Sequence, residues 1–343
     1  MEIARVQQTY SVKVQESSQV GEARRLACSL AMSLGFDESD TGRVALIVTE
    51  LGTNLVKHTE NQGGELLLQC VLNQDQTQGL EIIGLDQGPG ISNISLSMRD
   101  GHSTAGSPGQ GLGAIDRLST YFEIFSRIKQ GTAILSRVFK KGLQGIEATF
   151  LNIGGVCLPF HGEKLSGDLW SYHRGNLESS FLLADGLGHG LLAHEAAKEA
   201  VRIFEETPRA NLEQLFKTMH AAMRKTRGAA VSSLKLKMET RTVQYMGIGN
   251  VSAAIANSQK TFHLVNLNGI VGHEIRKLQE FQYSFEKGSI LILYSDGLSN
   301  KWDFNVYPGL FSRHPSLIAA VLYRDHKRTR DDITVVVAKE GRT

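Results

Sequence analysis

Cysteine and proline are scarce in this chain, with three cysteines and six prolines among 343 residues. Cys28, Cys70 and Cys157 are odd in number, lie far apart and form no CxxC pair. That excludes a disulfide framework and a cysteine-based zinc site, and it suits a reducing compartment. Long apolar runs are also missing: stretches such as 290–294 fall far short of the ~20 residues needed to span a bilayer. The first eight residues, Met-Glu-Ile-Ala-Arg-Val-Gln-Gln, lack a basic segment followed by an apolar one, so no secretory leader is expected. The expectation is a cytoplasmic protein without membrane attachment.

One-sided charge is absent too. Residues 1–141 carry 13 basic against 15 acidic side chains (−2), and the remainder carries 24 against 20 (+4). Neither excess resembles the basic field of a sequence-independent nucleic-acid binder, so no nucleic-acid partner is expected. Apolar residues at 41% are enough to bury real cores, which excludes global disorder. At roughly 150 residues per domain, the length implies about two domains. Only glycine is over-supplied: 35 residues, where about 7% is usual, so their positions become informative.

The apolar periodicity predicts a strand at 10–14, helices at 20–34 and 37–58, and strands at 65–72 and 80–85. A polar, glycine-rich stretch from Asp86 to Gly113 leads into a short helix, 114–118, and strands at 121–127 and 132–139. The basic, glycine-punctuated segment 140–145 is the expected boundary, giving domains 1–140 and 146–343. Beyond it, strands are expected at 146–158, 178–184, 229–238, 241–248, 251–256, 280–285, 289–295 and 333–338, with helices at 190–206, 211–225 and 315–324.

Several familiar signatures fail. There is no GxxxxGK[ST] loop and no GxSxG elbow, and His194-Glu195 and His273-Glu274 each lack the second histidine of HExxH. An ordered set of other features is present. Glu50 and Asn54 are four apart in a helix and so share a face. Asp86 ends an apolar strand and opens Asp86-Gln87-Gly88-Pro89-Gly90-Ile91. Gly109, Gly111 and Gly113 alternate at a helix start, where free amides favour phosphate. Gly131-Thr132 begins a further strand.

In this order, Thr49-Glu50-Leu51-Gly52-Thr53-Asn54, Asp86 to Ile91 and Ser107 to Gly113 resemble the boxes of the GHKL ATP-binding family, in particular its RsbT-like switch kinases. The resemblance covers 1–140 and implies a two-layer α/β (Bergerat) sandwich that binds ATP with Mg²⁺. By that resemblance Asp86 accepts from the adenine amino group, Gly88 and Gly90 let backbone approach the base, and Thr132 backs the pocket. Asn54 holds Mg²⁺, the three alternating glycines form a lid over the phosphates, and Glu50 orients a protein hydroxyl as base.

In the second half, four aspartates stand beside glycine or at strand ends: Asp168, Asp185, Asp296 and Asp331, the last followed by Asp332. Oxygen ligands without a His/Cys cluster point to Mg²⁺ or Mn²⁺. Ser166-Gly167-Asp168, Ala184-Asp185-Gly186-Leu187-Gly188-His189-Gly190, Thr226 to Ala230, Gly247 to Val251, Ser295-Asp296-Gly297 and Arg330-Asp331-Asp332 together resemble the SpoIIE/RsbX branch of the PP2C-type phosphatases.

That second resemblance implies an α-β-β-α sandwich holding two Mn²⁺ or Mg²⁺ ions. Asp185 would bridge them, the Gly186 carbonyl would join the first, Asp296 and Asp331 would hold the second, and Asp168 would act through water. Where larger relatives place His after Asp-Gly, this chain has Leu187, and His189 follows two residues later. The pairing implies a bifunctional regulator of a partner-switching pathway acting on a STAS-domain (RsbS/RsbR-like) phosphoprotein, with a homodimer possible. Two alternatives are a phosphatase with an ATP-sensing first domain and a non-enzymatic binding protein.

Overall fold

The computed structural model describes residues 2–5, 8–73, 77–98, 111–140, 150–175, 177–257 and 259–341. Two compact units emerge, and they do not follow chain order. One comprises Thr9–Glu147 with Ser312–Arg324, and the other Met1–Gln8, Ala148–Phe311 and Asp325–Thr343. The opening strand β1 (Glu2–Arg5) thus belongs with the later residues, pairing antiparallel with β8 (Asp168–Arg174). The segment 312–324, expected in the second domain, packs instead in the first unit. The expected boundary at 140–145 runs into 141–149, outside the described residues.

In the nucleotide-type unit, β2 (Tyr10–Val14), β3 (Gly64–Leu72), β4 (Gln78–Asp86), β5 (Tyr121–Ser126) and β6 (Thr132–Phe139) form one antiparallel sheet in the order β2-β3-β4-β6-β5. Helix α1 (Ser17–Ser33) starts at a capping box formed by Glu16 and Gln19, and α2 (Glu38–Lys57) starts where Asp37 accepts from the Asp40 amide at 2.7 Å. A stripe of small residues on α1, Ala23, Ala27 and Ala31, lets the two helices approach closely. A Cβ on Gly52 of α2 would lie 2.9 Å from Val20. Val44, Ile47, Val48, Leu51 and Leu55 carry the apolar stripe of α2 into one core with Leu66, Leu68, Ile82 and Ile134. Two short helices follow β4, α3 (Ile94–Ser97) and α4 (Gly111–Leu118).

The opposite face of that sheet is mixed: Leu67, Ile83 and Leu135 are fully buried beside Gln69, Glu81 and Arg137. The Glu81 and Arg137 side chains pair at 2.7 Å, and Gln69 donates to Glu81 at 2.6 Å. Burial of such groups is tolerated because each is bonded.

In the other unit, β1, β8, β9 (Glu178–Gly186), β10 (Ala229–Lys237), β11 (Thr242–Ile248) and the later Phe281–Ser284 form a six-stranded sheet. A five-stranded sheet joins β7 (Leu151–Leu158), β12 (Ser252–Ala256), β13 (Thr261–His263) and two strands near the end of the chain. A small ribbon, β14 (Gly269–Ile270) with β15 (Glu274–Ile275), precedes β16 (Phe281–Ser284). The two late strands of the five-stranded sheet are β17 (Ile290–Tyr294) and β18 (Ile333–Glu340). Between the sheets, Gly155 of β7 admits Trp170 of β8: a Cβ there would lie 2.9 Å from the indole. Helices α5 (Leu191–Glu206) and α6 (Leu212–Ala222) bury Ala196, Ala200, Phe204, Leu215 and Phe216 with Leu182 and Val231 of the six-stranded sheet. The remaining helix, α7 (Pro315–His326), lies in the nucleotide-type unit up to Arg324. The α/β class expected for both halves is the one observed.

Strand β8 has no counterpart in the sequence expectation. Its Ser171 and His173 look solvent-facing in the sequence, yet both are buried. Ser171 donates to Glu205 at 3.3 Å, and the His173 ring meets Ser180 at 3.3 Å and stacks on Phe204 at 4.3 Å.

Candidate functional site

The first candidate site forms where β4 ends. Asp86 Oδ1 accepts from the Gly88 amide at 2.8 Å and from the Thr132 amide at 3.1 Å, so one carboxylate oxygen ties the strand end to the neighbouring strand. Burial raises the Asp86 carboxyl above the ordinary carboxylate range, while those two amides and the Arg324 and His58 charges pull it back. Gly90 and Gly131 both have positive φ, and a Cβ on either would collide with backbone, of Arg127 and Asp86 respectively. The Thr132 and Ser126 hydroxyls share a 2.9 Å bond, and Ser126 also accepts from the Ile91 amide at 2.8 Å. The turn after Asp86 is therefore pinned from both sides.

Glu50 and Asn54 occur in α2 four residues apart, both half-buried, about two turns and one turn respectively before the helix ends beside His58. Gly111 and Gly113 begin α4; Gly113 is buried, whereas a Cβ on Gly111 would meet nothing within 4 Å. Gly109 lies outside the described residues. Ser126 and Arg324 are contacts that sequence reading missed. Ser126 carries no motif, and Arg324 lies 238 residues from Asp86 along the chain.

The second candidate site gathers strand ends. Asp168 opens β8 and is the register partner of Asp185 near the end of β9. Asp296 follows β17, and Asp331 and Asp332 precede β18; those two strand ends are clasped by Ser295 and Thr334, whose backbone amides each find the other residue. Gly167 lies against the acids as well, since a Cβ there would stand 2.7 Å from Asp332 Oδ2. Both oxygens of Asp168, Oδ1 of Asp296 and Oδ2 of Asp332 are buried without a hydrogen bond. Asn250, from the Gly247 to Val251 motif, donates to Asp296 Oδ2 at 2.5 Å.

The electrostatics match this crowding. Burial, then Asp168, Asp296, Asp331 and Asp332 in turn, push the Asp185 carboxyl far up. Burial also raises Asp168, with Asp332 and Asp296 adding and the Ser295 and Thr334 hydroxyls opposing. Asp331 and Asp332 are raised chiefly by burial.

The two adjacent acids differ. Asp332 Oδ1 accepts from the Phe160 amide at 2.8 Å, whereas Asp331 is half-exposed and accepts only from the Asp332 amide, at 2.9 Å, among the described residues. His189 is exposed, pairs with Glu163 at 2.8 Å and packs against Phe160 at 5.2 Å. Among the described residues no three His, Cys, Asp or Glu side chains form a ready-made cation cage. The donor chemistry still fits a hard cation: all-oxygen, uncompensated by any paired base among the described residues, with oxygens of Asp168, Asp296 and Asp332 buried and unbonded.

Known proteins share both halves. The model of the histidine kinase-like ATPase domain matches residues 14–137, and that of stage II sporulation protein E matches 178–340. The serine/threonine-protein kinase RsbT of Bacillus subtilis (strain 168) is 34% identical over 123 residues, 36% of this chain and 90% of RsbT. The phosphoserine phosphatase RsbX of the same organism is 30% identical over 139 residues, 40% of this chain and 70% of RsbX. A solved structure from work on the bacterial stressosome as a modular signalling system matches with a TM-score of 0.52 at 23% identity. It covers 55% of this chain and 99% of its own, a likeness of fold.

Proposed function

Because the chain belongs to the histidine kinase-like ATPase family through 14–137 and to the SpoIIE-type PP2C phosphatase family through 178–340, we propose that it runs two opposed phosphate chemistries on one protein substrate. The observation that supports this reading is the register pairing of Asp168 with Asp185, with the Asp296 and Asp331 charges acting on Asp185 and the oxygens of Asp168 and Oδ1 of Asp296 buried without a hydrogen bond. No helix among the described residues is long and apolar enough to cross a membrane.

In the first unit Asp86 is the adenine acceptor. With Oδ1 taken by the Gly88 and Thr132 amides, Oδ2 is the oxygen offered to the exocyclic amine. Gly88 and Gly90 shape the turn against the base, and Thr132 backs it. Asn54 is assigned to Mg²⁺, and Gly109, Gly111 and Gly113 to the phosphates. Glu50, one helical turn before Asn54, orients the substrate hydroxyl and takes its proton as the γ-phosphoryl is transferred.

In the second unit Asp185 and the Gly186 carbonyl, Asp168, Asp296 and Asp331 would hold Mn²⁺ or Mg²⁺. Bound cations there supply an acidified water and neutralise phosphoryl oxygens. Asp332 serves by clasping the Phe160 amide, which fixes the approach of Asp331. Asn250 orients Asp296. The substrate class is a phosphoserine or phosphothreonine on a STAS-domain protein, the kind of partner that the kinase–phosphatase pairing serves.

The test uses γ-labelled ATP, Mg²⁺ and a purified STAS-domain protein from the same organism. Label should enter the STAS protein and leave it on addition of Mn²⁺. No transfer would remove the kinase half, and release unaffected by Asp185→Ala would remove the phosphatase half.

A further inference from the structure

Helix α7 follows β17 in sequence and precedes β18, both strands of the phosphatase-type unit, yet Ser312–Arg324 packs with residues 9–147. All of Pro315–Arg324 is buried. Its polar groups meet those of one sheet face. The His314 amide donates to Glu123 at 2.6 Å, Arg137 donates to the Ser316 hydroxyl at 3.0 Å, and the Tyr323 hydroxyl donates to Glu65 at 2.8 Å. At the far end Arg324 Nη1 donates to the Asp86 carbonyl at 2.9 Å and lies 3.4 Å from the Thr132 carbonyl.

Those two carbonyls belong to the residues that meet at the end of β4, where Thr132 N already bonds the Asp86 side chain. The two N–H groups on a guanidinium nitrogen point in fixed directions in one plane, whereas the three donors of a lysine ammonium rotate and hold no set direction. Gly131 leaves no slack there, since even a methyl group would collide with the Asp86 carbonyl. Beyond Arg324 the chain reaches Asp331 in seven residues, at most about 25 Å of extended backbone. The contact to Asp86 and the acid at the β18 end are thus linked by one short covalent segment.

We propose that Arg324 is a positioning residue for the adenine base, and that α7 transmits nucleotide occupancy to the phosphatase acids through 325–331. The proposal rests on the nucleotide reading of the Asp86 pocket. Arg324 does not touch a reacting atom; it sets where the Asp86 and Thr132 backbones stand. When a nucleotide draws Asp86 toward the base, the carbonyl shifts against Arg324, and the end of α7 shifts with it.

The experiment titrates non-hydrolysable ATP and GTP analogues into the full chain by calorimetry. It also follows p-nitrophenyl phosphate hydrolysis in Mn²⁺ with and without saturating ATP analogue. Wild type is compared with Arg324→Lys, Arg324→Met and Tyr323→Phe. Loss of Arg324 donors should weaken the ATP analogue about tenfold and reduce the preference for adenine over guanine. In wild type the bound analogue should change the hydrolysis rate at least about twofold, and that ratio should fall toward one in Arg324→Lys at equal occupancy. Tyr323→Phe loosens the same helix away from the pocket and should keep base preference; Arg324→Lys keeps the charge if Arg324→Met fails to fold.

Equal analogue affinity and base preference in wild type and Arg324→Lys would overturn the positioning role. A bound analogue that leaves the wild-type hydrolysis rate unchanged would overturn the coupling. Loss of base preference in Tyr323→Phe equal to that in Arg324→Lys would reduce the effect to helix docking. No analogue binding by wild type would instead overturn the nucleotide reading itself.

Discussion

Asp168 and Asp185 face each other in register across β8 and β9, two carboxylates side by side with no base paired to either among the described residues. Such an arrangement is unfavourable until a cation enters. Replacing Asp185 with Asn removes one of the crowded charges. The metal-free protein should therefore gain about 1 kcal/mol or more, a rise of roughly 2–4 °C in Tm for a unit of this size. The same substitution should lower Mn²⁺-dependent phosphatase activity at least about 100-fold, because a carboxylate proposed to hold the cations is lost. Thermal melting in EDTA, together with phosphopeptide turnover, checks both effects; a lower metal-free Tm would contradict the account.

The raised Asp168 and Asp185 carboxyls also fix a pH dependence. Their unfolded values sit near 4 and their folded values are higher, so the folded state holds more protons between the two. Metal-free stability should thus be greatest below about pH 4 as far as these groups are concerned, and fall as pH rises through the folded values. Mn²⁺ binds only the deprotonated acids, so the stabilisation it confers should grow with pH over the same range. Melting at pH 5 to 8 with EDTA and with Mn²⁺ measures the two slopes; parallel curves would refute the assignment.

Asp331 and Asp332 should separate under substitution. Asp331→Ala is expected to weaken Mn²⁺ binding at least about tenfold with little change in metal-free Tm, since among the described residues its carboxylate holds only the next amide. Asp332→Ala leaves the half-buried Phe160 amide without its acceptor and should cost about 1 kcal/mol of stability. Mn²⁺ titration and denaturant melts of the two variants distinguish ligand from clasp.

In the other unit, Glu50→Ala and Asp86→Ala should divide transfer from binding. Asp86→Ala should abolish measurable binding of an ATP analogue, because the proposed adenine acceptor and the tie to Gly88 and Thr132 go together. Glu50→Ala should leave that affinity within about threefold and lower phosphotransfer about 10²–10⁴-fold. Calorimetry and label transfer read the two quantities separately. Equal loss of both in Glu50→Ala, or analogue binding retained in Asp86→Ala, would contradict the roles given.

Much of this was legible in the sequence because it is written locally. The α2 stripe from Val44 to Leu55, the Asp86 turn and the acids at strand ends are each specified within a dozen residues, so period and turn chemistry expose them. Strand β8 escaped because Ser171 and His173 are buried polar residues that bond Glu205 and Ser180, partners 34 and seven residues away. The placement of α7 escaped for a similar reason. Its apolar stripe says that it packs, but the sheet it packs on is identified only by Glu65, Glu123, Arg137 and Asp86, roughly 180 to 260 residues earlier. Asn250 stood inside a recognised motif, and only its bond to Asp296 reveals what it does.

The most direct test of opposed chemistry is stoichiometric. Inorganic phosphate released from ATP is counted per STAS protein, with the chain present in trace amount and both Mg²⁺ and Mn²⁺ supplied. Wild type should release many equivalents as the STAS protein is phosphorylated and dephosphorylated in turn. The Asp185→Ala chain should consume one equivalent of ATP per acceptor site, release almost none and leave the STAS protein fully phosphorylated. Continued release by Asp185→Ala at the wild-type rate would contradict the account.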